Sequence, residues 1–267
     1  MASSKPQAPH PIRVGIVLFP GFEPLDAVGP ANVFGAVEGI QMLWIAEQQG
    51  PVSSKTGSMT VVASHSFAEM MPQQQQQQQQ GGADAADPKL HWLLVPGGVG
   101  TRKEVVNPSL LSFLQAWAAP DAGSGLQLCM SVCTGAALLA AAGLLDGRRA
   151  TSNKMAWEAT SNKMAWEWVT STGPKVQWVR AARWVADGPF LTSSGVTAGT
   201  DMAVAVLKTQ LGSEVAGAAA KYNEYMPNAE ADVDPFAEAG FVPDVNQLSQ
   251  LTTATILLEG IDRLPDS

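Results

Sequence analysis

The chain has 267 residues, a formal net charge of −8 and only 15% charged side chains. That length and apolar content suit one sizeable core rather than two, and a net anion without a Lys/Arg cluster is not drawn to nucleic acid or to an anionic membrane. The opening MASSKPQAPHP holds no apolar run of signal-peptide length, and the longest apolar stretch, around Ala136–Leu145, is too short to span a bilayer. The expectation is a soluble, cytoplasmic protein whose partner is a small molecule, with no nucleic acid and no membrane.

Residues 1–11 are expected to be disordered. Ile12–Phe19, IRVGIVLF, is a continuous apolar run stopped by Pro20-Gly21, the pattern of a buried parallel strand. A helix is predicted to follow through PLDAVGPANVFGAV, opened by Pro24 in its first turn and with Asp26 near the positive end of its dipole. MLWIAE and MTVVASHSF read as short strands, then HWLLVPGG as a strand, Val105–Ala118 as a helix, LQLCMSV as a strand and Gly135–Leu145 as a helix closed by Asp146-Gly147. VQWV, ARWVADG and PFLTSS add shorter strands before a helix from Ala198 to Leu211. This βα alternation predicts an α/β fold with a mainly parallel sheet and helices on both faces.

Two segments interrupt the domain, which is placed at 12–240. Residues 72–88 carry the glutamine tract Gln73–Gln80 and a GGADAADP run, which cannot build a core and are expected to form a disordered insertion. At 150–167 the nonapeptide ATSNKMAWE occurs twice in succession. Nine residues turn a helix by about half a circle at 100° per residue, so both copies cannot share one continuous helix in the same register. One copy is expected to be displaced as an extended loop or extra turn. Residues 241–267 are read as a C-terminal helical tail.

The two cysteines, Cys129 and Cys133, lie on one predicted strand, where about 3.3 Å of rise per residue separates their Cα atoms by roughly 13 Å, too far for a disulfide. No CxxC, HExxH or grouped His/Cys set is present, and the three histidines are scattered, so no metal site is expected. Cys129 reads as core. Cys133 stands at the carboxyl end of its strand, where ligands bind in open α/β sheets, and the small residues of CTG make a sharp strand-to-helix elbow of the kind that exposes a nucleophile. The helix starting behind it should lower the thiol pKa. Gly97 and Gly98 end a neighbouring strand with unobstructed N–H groups that can line an oxyanion pocket. With no histidine near the elbow in sequence, Asp26, after the first strand, is the candidate proton partner.

The blocks FPGFEPLDAVGP, VPGG, SVCTGAALLAAAGLLDGRRAT and SSGVTAGTDMAVAVL resemble, in order and spacing, those of the ThiJ/PfpI superfamily of class I glutamine amidotransferase-like proteins, and most of all its isonitrile (isocyanide) hydratase branch. The likeness runs from about Ile12 to Phe236, and YNEYMPNAEADVDPF resembles that branch's EYxPxPPF segment with altered spacing. The resemblance implies a flavodoxin-like sandwich, usually a homodimer, without cofactor or metal. It also implies Cys133 as nucleophile, Asp26 as the acid of the LDxxGP block, Thr134 as the residue after the nucleophile, and Gly97 and Gly98 as the oxyanion loop. Peptidase-like members carry His directly after the cysteine, where this chain has Thr134. Deglycase- and glyoxalase-like members carry Glu in place of Asp26 and often His in place of Asn153 or Asn162. Three activities stand: hydration of an isonitrile to an N-substituted formamide, a glyoxalase or deglycase reaction on methylglyoxal-type aldehydes, and a non-enzymatic sensor based on oxidation of Cys133.

Overall fold

The computed structural model describes residues 5–72, 89–155, 157–158 and 163–237, all within one compact unit that ends at Ala237. The first half contains β1 (Gln7–Val17), α1 (Pro24–Gly35), β2 (Glu38–Ala46), β3 (Gly50–Ser53), β4 (Thr60–Ala63), β5 (His65–Ser66), β6 (Trp92–Val95), α2 (Thr101–Glu104), α3 (Pro108–Ala118) and β7 (Leu128–Val132). The second contains α4 (Gly135–Ala141), β8 (Arg149–Ala150), β9 (Trp157–Glu158), β10 (Lys163–Met164), α5 (Ala165–Thr172), β11 (Gln177–Trp178), β12 (Trp184–Asp187), β13 (Phe190–Ser193), α6 (Ala198–Leu211) and α7 (Ser213–Tyr222).

Seven strands form one sheet in the order β12-β13-β7-β6-β1-β2-β5. All neighbours are parallel except the hairpin β12-β13. Every residue of β6 and β7 is buried, which explains their unbroken apolar sequences: a parallel strand covered by helices on both faces has no solvent side on which to place polar residues. Helices α1, α6 and α7 pack together, as do α3, α4 and α5, giving a flavodoxin-like α/β sandwich. Among the described residues, no helix is long and apolar enough to cross a membrane.

The structure departs from the sequence reading at several boundaries. The N-terminal residues expected to be disordered belong in part to β1, which begins at Gln7. Gln7 pairs with Glu38 across a register shift, Glu38 N–H donates to Pro6 O (2.7 Å), and Lys5 Nζ reaches Gly35 O (3.0 Å). The predicted Val105–Ala118 helix restarts at Pro108, because a proline biases the residue before it toward extended backbone; Asn107 there caps α3 by accepting from Ser109 N–H. The helix after Cys133 stops at Ala141 rather than Leu145, and Gly143 follows at φ +75°. The glutamine tract and the 241–267 tail lie outside the described residues.

The duplication resolves into a division of labour. The first copy runs from β8 into the buried residues Thr151, Ser152, Asn153 and Lys154. The second supplies β10 and the first turn of α5. Between them β9 and β10 pair antiparallel, Trp157 opposite Met164, so the displaced register is taken up by a hairpin rather than by a longer helix. The copies meet again where Trp166 of the second lies 5.6 Å from the Lys154 ammonium of the first.

Candidate active site

Four adjacent strands deliver the site from their carboxyl ends. Cys133 follows β7, Gly97 and Gly98 follow β6, Asp26 lies in the first turn of the helix after β1, and Ser194-Gly195 follow β13. Cys133 is the sharp elbow expected from CTG. Its φ of 58° places a non-glycine residue in the left-handed region, a conformation costing about 1–2 kcal/mol that the surroundings hold in place. Its N–H donates to Ser193 O (3.1 Å) and Ser194 O (3.2 Å), and its carbonyl accepts from Ser152 Oγ (2.8 Å). With both backbone groups engaged, the thiol direction is set by the main chain.

The Asp26 carboxyl is fully buried against that thiol. Its Oδ2 accepts from Gly97 N–H (3.0 Å), and its Oδ1 is buried with no hydrogen-bond partner among the described residues. Burial holds Asp26 well above the ordinary carboxylate range, the Gly97 hydrogen bond pulls the other way, and the nearby Glu23 adds to the rise. Burial also pushes the Cys133 thiol well above its ordinary value, with the Asp26 carboxylate adding to it; hydrogen bonds from Thr134 N–H and from the Asn153 side chain oppose the rise. The expected depression of the thiol is therefore reversed, because α4 is only seven residues long and removal from water outweighs its dipole at a fully enclosed sulfur. Two buried acids in contact disfavour a doubly charged state, so the pair resists losing its last proton.

All five sequence-predicted residues converge, but the roles of the glycines change. Gly97 N–H is committed to Asp26 Oδ2 and Gly98 N–H to Thr134 Oγ1 (3.0 Å), so neither amide is free for an oxyanion. They position the acid and the threonine instead. Their lack of a side chain is required by space: a Cβ on Gly97 would lie 2.6 Å from Thr134 N, and Gly98, at φ +124°, lies tight against Gly21 and Glu23. Thr134 contributes twice, through its N–H at the sulfur and through an Oγ1 that accepts from Gly98 N–H and Thr101 Oγ1 (3.2 Å). Negative charge at the sulfur is thus met by Thr134 N–H and the Asn153 amide.

Gly195 was not assigned a role from sequence. A Cβ there would run into Asn153 Nδ2 and sit 3.1 Å from Cys133 Sγ, so its bare backbone lets the amide and thiol meet; its only sequence signal was its place in the SSGVTAGT block. Beside Asn153 and Gly195 lies a cavity of about 230 Å³, also lined by Met155, Val196 and Phe236. Cys129 is inert core as expected, with burial pushing its thiol up to about 12. No three His, Cys, Asp or Glu side chains gather into a metal-binding group among the described residues.

Residues 12–209 match the DJ-1/PfpI family. An isonitrile hydratase from Pseudomonas putida is 27% identical over 216 residues, covering 81% of this chain and 79% of the relative. Among solved structures, a ThiJ/PfpI family protein from Pseudomonas syringae superposes with a TM-score of 0.63 at 26% identity, covering 91% of this chain and 86% of that one. Drosophila melanogaster DJ-1beta superposes at 0.60 with 16% identity, covering 81% and 99%, a likeness of fold.

Proposed function

The chain belongs to the DJ-1/PfpI family, and from that premise we propose that it is a cysteine-dependent hydratase converting an isonitrile to an N-substituted formamide. The observation that carries this reading is the enclosed Cys133–Asp26 pair, a fully buried carboxyl in hydrogen-bonding contact with the buried thiol at the carboxyl end of the sheet. The similarity to an isonitrile hydratase supports the substrate class.

An isonitrile carbon needs a nucleophile and a proton at one atom, and the pair in its singly protonated form, thiolate beside carboxylic acid, supplies both. Sulfur bonds to the terminal carbon while the proton passes from Asp26 to the same carbon, giving a thioimidate, S–CH=N–R. Water then adds to that carbon and the nitrogen is protonated. Collapse of the tetrahedral adduct breaks the C–S bond, releases HC(=O)–NHR and leaves the proton on the pair again. Thr134 N–H and the Asn153 amide stabilise the sulfur when it carries charge. Such charge-assisted bonds are worth about 1.5–3 kcal/mol each.

The test is formamide release from cyclohexyl isonitrile by the wild type and by Cys133→Ser. Formamide above the variant's background is expected; its absence overturns the reading. Methylglyoxal run in parallel, with lactate as product, would reassign the site to aldehyde chemistry. We also read the protein as a homodimer, supported by the exposed Leu25 of α1, which borders a groove of about 370 Å³ shared with Val28, Thr200 and Tyr225. Light scattering tests this, and a monomer at micromolar concentration would overturn it.

A further inference from the structure

After α7 the chain returns to the site as a strap, residues 225–237. It runs along 181–184, where Arg183 N–H (2.7 Å) and Trp184 N–H (3.2 Å) donate to Ala231 O, and Asp234 N–H donates to Ala181 O (2.8 Å). One end is pinned at Asp201, whose Oδ1 accepts from Tyr225 OH and Asn228 N–H (2.9 Å) and whose Oδ2 accepts from Arg183 Nε (2.7 Å). The other end is pinned by charge. Asp234 Oδ2 lies 2.8 Å from Lys154 Nζ, and neither side chain has any exposed surface. The ammonium also donates to Thr151 Oγ1 (2.9 Å) and Ala182 O (2.7 Å), so it is held on three sides by the protein.

The positions of this ion pair connect it to the chemistry. Lys154 follows Asn153, whose amide meets the Cys133 sulfur, and Ser194, which also engages Asp234, precedes Gly195. One strap carboxylate thus ties down the neighbours of Asn153 and Gly195, two of the residues that abut the thiol. Two residues later comes Phe236, 39% exposed, at the rim of the cavity beside Asn153 and Gly195. Met155 and Val196 complete the apolar lining. At about 230 Å³ the space falls below the roughly 300–1,000 Å³ of drug-sized pockets, and its one charged lining residue, Lys154, is already neutralised by Asp234.

We infer that residues 225–237 form the specificity wall of the Cys133 site: Phe236 and Met155 contact the substrate's substituent, and the Lys154–Asp234 pair positions the wall and the Asn153–Gly195 contact. This deepens the hydratase reading and rests on it for the reaction, by assigning the substrate a compact, uncharged, apolar substituent. Phe236 limits its size.

The test separates the wall from the reaction by using alkylation of Cys133 in the full chain, with iodoacetamide as the small probe and iodoacetanilide as the bulky one. Phe236→Ala is expected to raise the bulky-to-small rate ratio about tenfold, the discrimination one apolar contact provides, and to lower KM for a naphthyl isonitrile more than it changes kcat. Asp234→Asn should raise both alkylation rates. Because that variant leaves Lys154 buried without its partner, the double variant Lys154→Met/Asp234→Leu is the control for folding: replacing both charges with apolar groups preserves the fold, and it should show the same loss of probe discrimination with an intact melt. An unchanged bulky-to-small ratio in Phe236→Ala overturns the inference. A changed ratio in a protein that forms no formamide supports the wall and rejects the hydratase reading.

Discussion

Replacing Asp26 with asparagine should stabilise the protein and disable it, and the pH dependence of the first effect is the sharper test. The Asp26 carboxyl is raised by burial above the value of about 3.9 that it has in an unfolded chain. Below that pH both states hold the proton and the group contributes nothing to the difference. As pH rises, the unfolded chain releases its proton while the folded protein keeps it, so folded stability falls through the interval up to the raised native value and then levels off. Each unit of elevation costs about 1.4 kcal/mol, or about 3–6 °C in Tm for a domain of this size. The asparagine side chain has nearly the same volume and its carbonyl oxygen can still accept from Gly97 N–H, but it has no proton to lose. Its amide nitrogen fills the place of Asp26 Oδ1, which has no hydrogen-bond partner among the described residues, and any cost of that change is the same at every pH. Melts of wild type and Asp26→Asn from pH 4 to pH 8 should therefore show the Tm difference, variant minus wild type, growing with pH by at least several degrees. Formamide formation should meanwhile fall by about 10²–10⁴, the usual worth of a general acid. A Tm difference that is flat with pH, or that turns against the variant as pH rises, refutes the assignment of Asp26 as a buried acid kept protonated by desolvation.

Gly195→Ala should push the Asn153 amide off the sulfur and, by removing one charge-assisted hydrogen bond, slow iodoacetamide alkylation of Cys133 by about 10–100-fold; an unchanged rate would contradict the contact. Thr134→Val strips Gly98 N–H of its acceptor in a closed environment and should cost about 1–3 kcal/mol in urea unfolding, while alkylation is largely retained because the backbone N–H at the sulfur remains. Deleting residues 156–164 joins Met155 directly to Ala165 and removes the hairpin along with one repeat's worth of sequence. Since the retained Asn153 and Lys154 keep their places, the deletion should leave Cys133 reactivity within about threefold of wild type, as for removal of a tolerated insertion, and a collapse of the melt would show that the hairpin is structural.

Much of this architecture was legible because burial leaves a strong mark on sequence. IRVGIVLF, WLLV and LCMSV are continuous apolar runs for one reason: β1, β6 and β7 are covered on both sides. Their punctuation by Pro-Gly, Gly-Gly and Cys-Thr-Gly marks the sheet edge where the site assembles. Boundaries read less well when they depend on partners. That β1 begins at Gln7 is decided by Glu38 and Gly35 across the chain, not by anything within QAPHP. The helix break at Asn107-Pro108 is written locally, but the longer apolar pattern around it masks the signal.

The two misread features of the site share one cause. A glycine pair at a strand end declares that no side chain obstructs its amides, but it cannot declare which acceptor occupies them; here Asp26 Oδ2 and Thr134 Oγ1 do. A cysteine before a helix likewise declares a favourable dipole, but not how much water remains around its sulfur, and the enclosure is supplied by Gly195, Asn153 and Asp26 from three distant segments. Desolvation is a property of the closed site. Its magnitude grows as each segment adds a wall, whereas the dipole of a seven-residue helix is fixed locally. Enclosure that raises both the thiol and the carboxyl keeps protons on the pair, whereas a low-pKa thiolate in an open site would sit beside a carboxylate with no proton left to give. On the proposed hydratase reading, the residues that dry the site, more than the helix behind Cys133, therefore decide whether the sulfur can deliver a nucleophile and a proton to one carbon.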